Sequence, residues 1–274
     1  MSTEMFSDHA LSRRLERAET SSNASFVEAH AQLRPEAGAE WIEVAGAYAM
    51  FDGINSPCTQ TFGLGMFQLP TDAELSAIEK FFKARGAPVF HEVSPLADKA
   101  LVPMLNERGY RPFEMSTVMF LPLAERKERT VLNEAVQVRT LQDGDENREL
   151  FVRTFAEGWS EYAEYAEFML EMARISAITK GNTPFIAELD GQAVACASLS
   201  IRDGVALFAG ASTIEIFRRR GAQQALLEAR FRYARGVGCD LALMAADPGS
   251  GSQRNAERQG FRIAYTRTKW KLAS

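Results

Sequence analysis

The sequence predicts an α/β (α+β) fold of two tandem domains, each built on a mixed, largely antiparallel sheet that is flanked by helices. Three observations lead to this prediction. The chain of 274 residues is long enough for two domains of ordinary size with separate cores. Strand and helix signals alternate in both halves. Sequence landmarks recur at an offset of about 150 residues, which indicates a duplicated unit.

The composition is that of a globular protein, with 46% hydrophobic and 24% charged residues. A formal net charge of -5 argues against nucleic acid as a partner, because that affinity depends on clustered Lys and Arg. No stretch approaches the roughly 18 apolar residues that a membrane span requires, and the N-terminus has no apolar signal region. We therefore expect a cytoplasmic protein that binds neither nucleic acid nor a membrane. Both a monomer and a homodimer stay open.

The three cysteines are an odd number, and they are scattered along the chain without metal-ligand spacing. Disulfides and a zinc site are both disfavoured by this pattern. We expect no bound metal, and we expect Cys58, Cys196 and Cys239 to be small buried hydrophobic residues.

The first half carries the signals of three helices and three strands. Ser25 with Glu28, and Thr71 with Glu74, both have the form of a capping box, which marks a helix N-terminus. The predicted elements are a helix to about Leu33, a strand from Trp41 to Phe51, a helix from Thr71 to Gly86, a strand from Val89 to Val93, a helix from about Ala97 to Arg108, and a last strand after Gly109.

The second half contains two hairpin signals. Asp190-Gly191 and Asp203-Gly204 each lie between apolar runs, which predicts three consecutive antiparallel strands. A helix then starts at Ala222, with apolar residues on one face at helical spacing. The other predicted elements are a strand Val136 to Arg139, helices Asp145 to Glu157 and Glu161 to Ile178, and a strand Leu241 to Ala245 that is covered on both sides.

The domain boundaries follow from a charged segment near the middle of the chain. Residues 124–130 are mostly charged and show no apolar face, which is typical of a linker. We predict a first domain over 1–123, a linker over 124–135 and a second domain over 136–274. Ala84-Arg85-Gly86 matches Ala234-Arg235-Gly236 across the two domains.

The two copies differ at one position where chemistry is expected. The second has the turn Arg218-Arg219-Arg220-Gly221-Ala222-Gln223 between a strand and a helix, whereas the first has the acidic segment Gln68 to Ala73 without glycine. A helix N-terminus presents unpaired N–H groups and a positive dipole end, and glycine lets an anion approach the backbone. The turn is therefore a candidate phosphate site. A solvated basic turn is the alternative.

The order of elements around this turn resembles the GNAT superfamily of acyl-CoA N-acyltransferases. Its signature is Arg or Gln, two residues, Gly, one residue, then Gly or Ala; Arg218 and Gly221 match, while Gln223 stands where a second small residue is usual. Gly238-Cys239-Asp240 and the segment Ser252 to Phe261 continue the resemblance through the family's last helix. The first half resembles a degenerate copy without a cofactor site, as in a two-copy branch of the family.

The resemblance implies a site for acetyl-CoA, or a related acyl-CoA, as co-substrate. Its pyrophosphate would bind at the arginine turn, and the pantetheine arm would pair with the end of the preceding strand. One amide there would also stabilise the oxyanion. The implied cofactor-binding residues are Ser212, Thr213, Ile214, Arg218, Arg219, Arg220, Gly221, Ala222, Gln223, Asn255 and Arg258. Asn255 is equally typical of a helix surface amide.

The catalytic residues depart from the family pattern. Ala256 stands where many members have the tyrosine that protonates the leaving thiolate, and the strand Val205 to Ala211 has no carboxylate. Tyr265 could replace the missing acid, or it could be a packed ring with a tethered hydroxyl. Glu215 could be the base, or it could balance the charge of the arginines.

Acceptor recognition is expected from the segment after the first helix of the second half. Glu157, Trp159 and Tyr162 combine acid and aromatic groups, which suits a cationic amine. An ordinary amphipathic helix start is the alternative. We predict that the protein transfers an acetyl group from acetyl-CoA to a primary amine of a small molecule, by direct attack in a ternary complex. The alternatives are an inactive CoA-binding sensor or scaffold, and a phosphate-binding domain unrelated to CoA.

Overall fold

A computed structural model describes residues 5–126, 133–141, 144–160, 164 and 166–273. The chain divides into two compact units. Unit 1 consists of Met1–Leu121 with Leu243–Ser274, and unit 2 consists of Pro122–Ala242. Each unit combines helices with strands that are mostly antiparallel, so the predicted mixed α/β class is confirmed.

Unit 1 holds the strand order β1-β2-β3-β4-β11-β5. Its pairs are antiparallel except for β3 and β4, which are parallel. The elements are α1 (His9–Leu33), β1 (Glu40–Val44), β2 (Ala47–Phe51), β3 (Gln60–Phe62), α2 (Asp72–Lys83), β4 (Phe90–Val93), α3 (Leu101–Glu107), β5 (Tyr110–Pro122), α7 (Gly251–Arg258) and β11 (Arg262–Leu272).

Helix α1 begins well before the predicted capping box at Ser25 and Glu28. The side chain of Asp8 accepts a hydrogen bond from the amide of Leu11 at 2.8 Å and caps the helix there. Polar residues such as Ser12 and Glu16 occupy the buried face of its first turns. The apolar residues of this face are only Leu11, Leu15 and Ala18, so the periodicity that indicates a helix is weak in this part of the sequence.

The predicted strand from Trp41 to Phe51 is a hairpin of β1 and β2. Ala45 and Gly46 form its turn, with φ values of 52° and 75°. The sequence does not indicate this turn, because alanine rarely adopts a left-handed conformation. The capping box of Thr71 and Glu74 is confirmed at the start of α2. Helix α3 starts later than predicted, at Leu101.

Strand β11 pairs with β4 on one side and with β5 on the other, antiparallel to both. Trp270 of β11 joins the hydrophobic core that α2, α3 and β4 build in unit 1. Residues 243–274 thus pack with the first half of the chain, although the predicted second domain spans 136–274. That division follows the duplicated sequence, and its boundaries stay a prediction.

Unit 2 has the strand order β10-β9-β8-β7-β6, and the boundary between the units falls within β10. The hairpin turns Asp190-Gly191 and Asp203-Gly204 are confirmed, since all four residues have positive φ. The elements are β6 (Val136–Thr140), α4 (Asp145–Glu157), α5 (Ala166–Ile178), β7 (Asn182–Leu189), β8 (Gln192–Arg202), β9 (Val205–Thr213), α6 (Ala222–Gly236) and β10 (Leu241–Ala246).

The sheet of unit 2 is covered by helices on both faces. Phe151 and Phe155 of α4 pack on Ile186 and Cys196, and α6 packs Phe231 on Phe208 with ring centroids 4.5 Å apart. The segment 124–130 was expected to have no buried face, but Arg126 is buried. Its guanidinium pairs with the buried carboxylate of Glu228 and lies on the Phe231 ring, which a linker interpretation based on charge alone does not anticipate.

The cysteine prediction can be compared with the described residues. Cys58, Cys196 and Cys239 are free and buried, as predicted. In the described part of the chain, no group of three or more His, Cys, Asp and Glu side chains is placed to hold a metal ion. None of the described helices has the length and apolarity that a bilayer crossing requires.

Candidate functional site

The end of β9 is irregular where the candidate site begins. Ser198 of β8 faces Ala209, but Cys196 faces Ser212, so Gly210 and Ala211 together oppose one residue of β8. This is a β-bulge, and Gly210 has a left-handed φ of 57° within it. The backbone from Ala209 to Ala211 is exposed, in contrast to the buried residues before it. The bulge therefore opens one stretch of strand to solvent.

The arginine turn follows directly and has the backbone geometry of an anion cradle. Arg219 and Gly221 both have left-handed conformations, with φ of 63° and 91°. Alternating turns of this kind point successive N–H groups to one side. Helix α6 starts at Ala222, as predicted, and its N-cap residue Gly221 has no side chain with which to cap the first turn. Its first amides and its positive dipole end are thus available to an anion.

A cleft of about 300 Å³ lies beside the turn. Arg218 donates to the carbonyl of Gly158 at 3.2 Å, and Gln223 donates to Thr213 Oγ1 at 2.6 Å. These bonds fix one cationic and one amide side chain at the mouth of the cleft. The lining residues are Gly158, Trp159, Ala211, Ser212, Thr213, Arg218 and Gln223.

The three predicted backbone contacts of β9 are not equivalent. The amide of Ile214 donates to the carbonyl of Val194 at 3.0 Å, so it is occupied within the sheet. Ser212 Oγ donates to the carbonyl of Phe155 at 3.0 Å, which ties β9 to the end of α4. In an antiparallel ladder, successive residues direct their N–H groups to opposite edges. The amide of Thr213 therefore points away from β8 and is the one suited to a ligand.

The other predicted site residues of the second half differ in where they lie relative to the cleft. Arg219 and Arg220 are exposed on the turn, and Arg220 lies 5.3 Å from the centroid of Phe217. Trp159 lines the cleft, whereas Glu157 and Glu215 are exposed and are not among its lining residues. Tyr162 is outside the residues that the structure describes.

Asn255, Arg258 and Tyr265 belong to unit 1. Asn255 and Arg258 are exposed on α7. Tyr265 is buried on β11, where its hydroxyl donates to Glu16 at 2.9 Å and burial raises its pKa. This geometry favours the packed ring with a tethered hydroxyl over the proton donor.

Tyr265 is part of a buried polar network in unit 1, centred on Arg267. The guanidinium is 1% exposed and lies 2.8 Å from Glu19, 3.6 Å from Glu16 and 3.3 Å from Glu92. Three acidic side chains thus share one arginine. Burial raises the pKa of Glu16 from 4.5 to about 7, with Arg267 opposing that shift.

The raised pKa of Glu16 predicts a specific pH dependence of stability. Between the unfolded pKa of 4.5 and the folded pKa of about 7, the folded state keeps a proton that the unfolded state has lost. The contribution of Glu16 is therefore complete below pH 4.5 and is lost as the pH rises through 7. We expect Glu16→Gln to remove up to roughly 3 kcal/mol of this decline between pH 5 and 8.

Urea unfolding at pH 5, 6.5 and 8 measures the effect. Glu43→Gln, which changes an exposed carboxylate, is the matched control and should unfold with the pH profile of the parent protein. Equal profiles for Glu16→Gln and the parent would contradict the prediction.

Several residues of the site did not follow from sequence reasoning. A Cβ on Gly158 would overlap Ser212 Oγ, so α4 and β9 can approach this closely only at glycine. The bulge at Gly210 depends on strand register, which the sequence does not show. Arg230 is buried at four-residue spacing between Leu226 and Ala234 of α6. An arginine on the apolar face of a predicted helix was the available signal for it.

Comparison with known proteins bears on the family and the fold. Residues 144–261 match the family model described as Acetyltransferase (GNAT) family. A GCN5-related N-acetyltransferase from Kribbella flavida is similar in structure, with a TM-score of 0.63 and 19% identity, over 91% of this chain and 96% of that one. A tandem GNAT protein from the clavulanic acid biosynthesis pathway has a TM-score of 0.60 and 13% identity, over 84% and 78%. No curated protein matches the chain.

The fold is thus similar to that of GCN5-related N-acetyltransferases, a tandem GNAT protein among them. Residues 144–261 match the model of the GNAT acetyltransferase family, whose activity is acyl transfer and whose members generally use acyl-CoA. L-PGS from Bacillus licheniformis shares the fold, with a TM-score of 0.55 and 11% identity, over 91% of each chain. The fold alone therefore does not define the acceptor.

Proposed function

We propose that the protein transfers an acetyl group from acetyl-CoA to a primary amine of a small molecule. The observation that carries the proposal is the arginine turn, with left-handed Arg219 and Gly221, leading into the uncapped start of α6. A pyrophosphate fits this arrangement because it carries the charge that the helix start attracts and the oxygens that its amides can bond. Ala222 and Gln223 would supply the first amides of the helix.

Arginine side chains would complete the phosphate site. Arg218 lines the cleft and donates to the carbonyl of Gly158, and Arg219 and Arg220 are exposed on the turn. Guanidinium groups make charge-assisted, often bidentate hydrogen bonds to phosphate oxygens. Asn255 and Arg258 enter the proposal as CoA contacts through family resemblance alone.

The chemical step would use the cleft between the end of α4 and the end of β9. The neutral amine attacks the thioester carbonyl, so a C–N bond forms and the C–S bond breaks. The amide of Thr213 donates to the oxyanion, and the amine proton leaves to water, or through water to Glu215, while the thiolate takes up a proton. Holding both substrates in attacking geometry supplies much of the rate enhancement.

Glu215 and Tyr265 are the two proposed proton-transfer groups, and the structure supports them unequally. Glu215 follows Ile214 and is exposed, so it can accept a proton through water without first losing a buried partner. Tyr265 would have to break its hydrogen bond to Glu16. Trp159, at the cleft, and Glu157, on the last turn of α4, are the proposed acceptor contacts of the described residues. Tyr162 completes that proposal from the sequence.

The test is release of CoA thiol from acetyl-CoA in the presence of a panel of primary amines, combined with calorimetry of CoA binding. We expect CoA binding together with amine-dependent thiol release for at least one acceptor, and mass spectrometry should find the acetylated amine. Tight CoA binding without turnover across the panel would instead support the sensor or scaffold. Absence of any CoA affinity would favour a phosphate-binding domain unrelated to CoA.

A further inference from the structure

Arg230 is a buried cation that lies beside the β9 bulge. It lies on α6, its side chain is 2% exposed, and within the described part of the chain no carboxylate pairs with its guanidinium. Burial lowers its pKa from 12.5 to about 9, so it stays charged at neutral pH. An unpaired buried charge is costly, and it persists only where other polar groups compensate for the lost water.

The compensating groups are backbone carbonyls on both sides of the bulge. Arg230 Nη1 donates to Ser198 of β8 at 3.2 Å and to Ala209 of β9 at 3.5 Å. These two residues face each other in the last regular pair before the register shift. The guanidinium also lies 5.0 Å from the centroid of Phe208, which holds it under the strands.

The hydrogen bond from Arg230 to the carbonyl of Ala209 lies directly beside the bulge. Ala209 is the residue immediately before Gly210 and Ala211, the two exposed residues of the bulge. A bulge interrupts the ladder and leaves local carbonyls without strand partners, which would otherwise be free to shift. By binding both carbonyls, Arg230 fixes where the register between β8 and β9 shifts, and hence how Ser212 and Thr213 are placed at the cleft.

We propose that Arg230 is a positioning residue for acyl transfer: it clamps the β8–β9 bulge so that the Thr213 amide meets the thioester oxygen, and its buried charge favours the oxyanion. This inference rests on the proposed function. A displacement of about 1 Å at a reacting centre can cost roughly 100-fold in rate. Binding of the CoA pyrophosphate uses the arginine turn and should depend little on Arg230.

The experiment compares Arg230→Lys and Arg230→Met with the parent protein. Arg232→Met is the matched control, because Arg232 lies on the same helix and is exposed. We expect Arg230→Met to lower kcat roughly 100-fold while CoA affinity and KM for acetyl-CoA change less than about threefold. The kcat of Arg230→Lys should lie between those of Arg230→Met and the parent protein, since an ammonium group keeps the charge and can bond one carbonyl. Arg232→Met should leave kcat, CoA affinity and KM for acetyl-CoA unchanged.

Amide hydrogen exchange supplies a second readout that needs no turnover. The amide of Ile214, which donates to the carbonyl of Val194 just beyond the bulge, should exchange at least about tenfold faster in Arg230→Lys than in the parent protein, because the clamp is weakened. If the parent protein shows no turnover, the proposed function fails and exchange alone decides the clamp. The inference itself is overturned by unchanged exchange, by unchanged kcat, or by a parallel loss of CoA affinity and kcat. If Arg230→Met does not fold, Arg230→Lys carries the same comparisons.

Discussion

The Gly221→Glu variant is expected to bind CoA at least roughly 100-fold more weakly than the parent protein. Three effects act in the same direction. Gly221 has a φ of 91°, which costs a residue with a side chain about 1–2 kcal/mol. A Cβ there would lie 3.2 Å from Cβ of Asn133. The new carboxylate would stand at the helix start that the phosphates are proposed to occupy, and it would repel them.

Calorimetry with CoA measures this change, and Gly191→Glu is its matched control. Gly191 has a similar φ of 78° in the β7–β8 hairpin, and a Cβ there meets nothing within 4 Å. The Gly191→Glu variant therefore introduces the same charge and a similar backbone strain at a site away from the arginine turn. CoA affinity should be retained in Gly191→Glu. An affinity of Gly221→Glu within about threefold of the parent protein would show that the turn does not bind the phosphates.

The largest loss of stability is expected from Arg267→Met. Removal of this guanidinium leaves Glu16, Glu19 and Glu92 without the cation that they share in the interior of unit 1. Breaking a buried ion pair by removing one partner typically costs about 3–5 kcal/mol, because the remaining charge keeps its desolvation penalty. Glu16 and Glu92 are nearly inaccessible to water, so hydration cannot replace the lost partner.

Chemical denaturation at pH 7.5 measures the loss, with Lys269→Met as the matched control. Lys269 lies two residues along the same strand and pairs with Glu114 at 2.5 Å, where both side chains are partly exposed. An exposed pair contributes about 0–1 kcal/mol, so the control should differ little from the parent protein. The double variant Arg267→Met with Glu16→Gln should recover part of the loss, since one acid is then neutral. A loss below about 1 kcal/mol for Arg267→Met would mean that the network is not stabilising.

The parts of the fold that the sequence predicted well depend on short-range chemistry. The hairpins at Asp190-Gly191 and Asp203-Gly204 require residues that tolerate positive φ, and the cap at Thr71 needs only a partner three residues on. The start of α6 at Ala222 follows in the same way from Gly221. The turn itself was therefore accessible to sequence reasoning, because its anion-binding geometry lies within a few consecutive residues.

The features that were missed depend on contacts between distant residues. The buried face of α1 carries Glu16, which becomes intelligible only when Arg267 is seen beside it. The bulge at Gly210 and the closeness of Gly158 to Ser212 depend on strand register and on helix packing, which no local pattern specifies. Proton-transfer groups do not follow from sequence spacing for the same reason, since their role depends on which side chains face the thioester.

The placement of β11 between β4 and β5 has a consequence for how the protein is made. Ser116 of β5 and Arg267 of β11 meet in the sheet although 151 residues separate them along the chain. During synthesis, the strands of the first half emerge from the ribosome long before the strand that completes their sheet. The newly made β4 and β5 then present open edges, which are the kind of surface that chaperones shield and that invites pairing between neighbouring nascent chains.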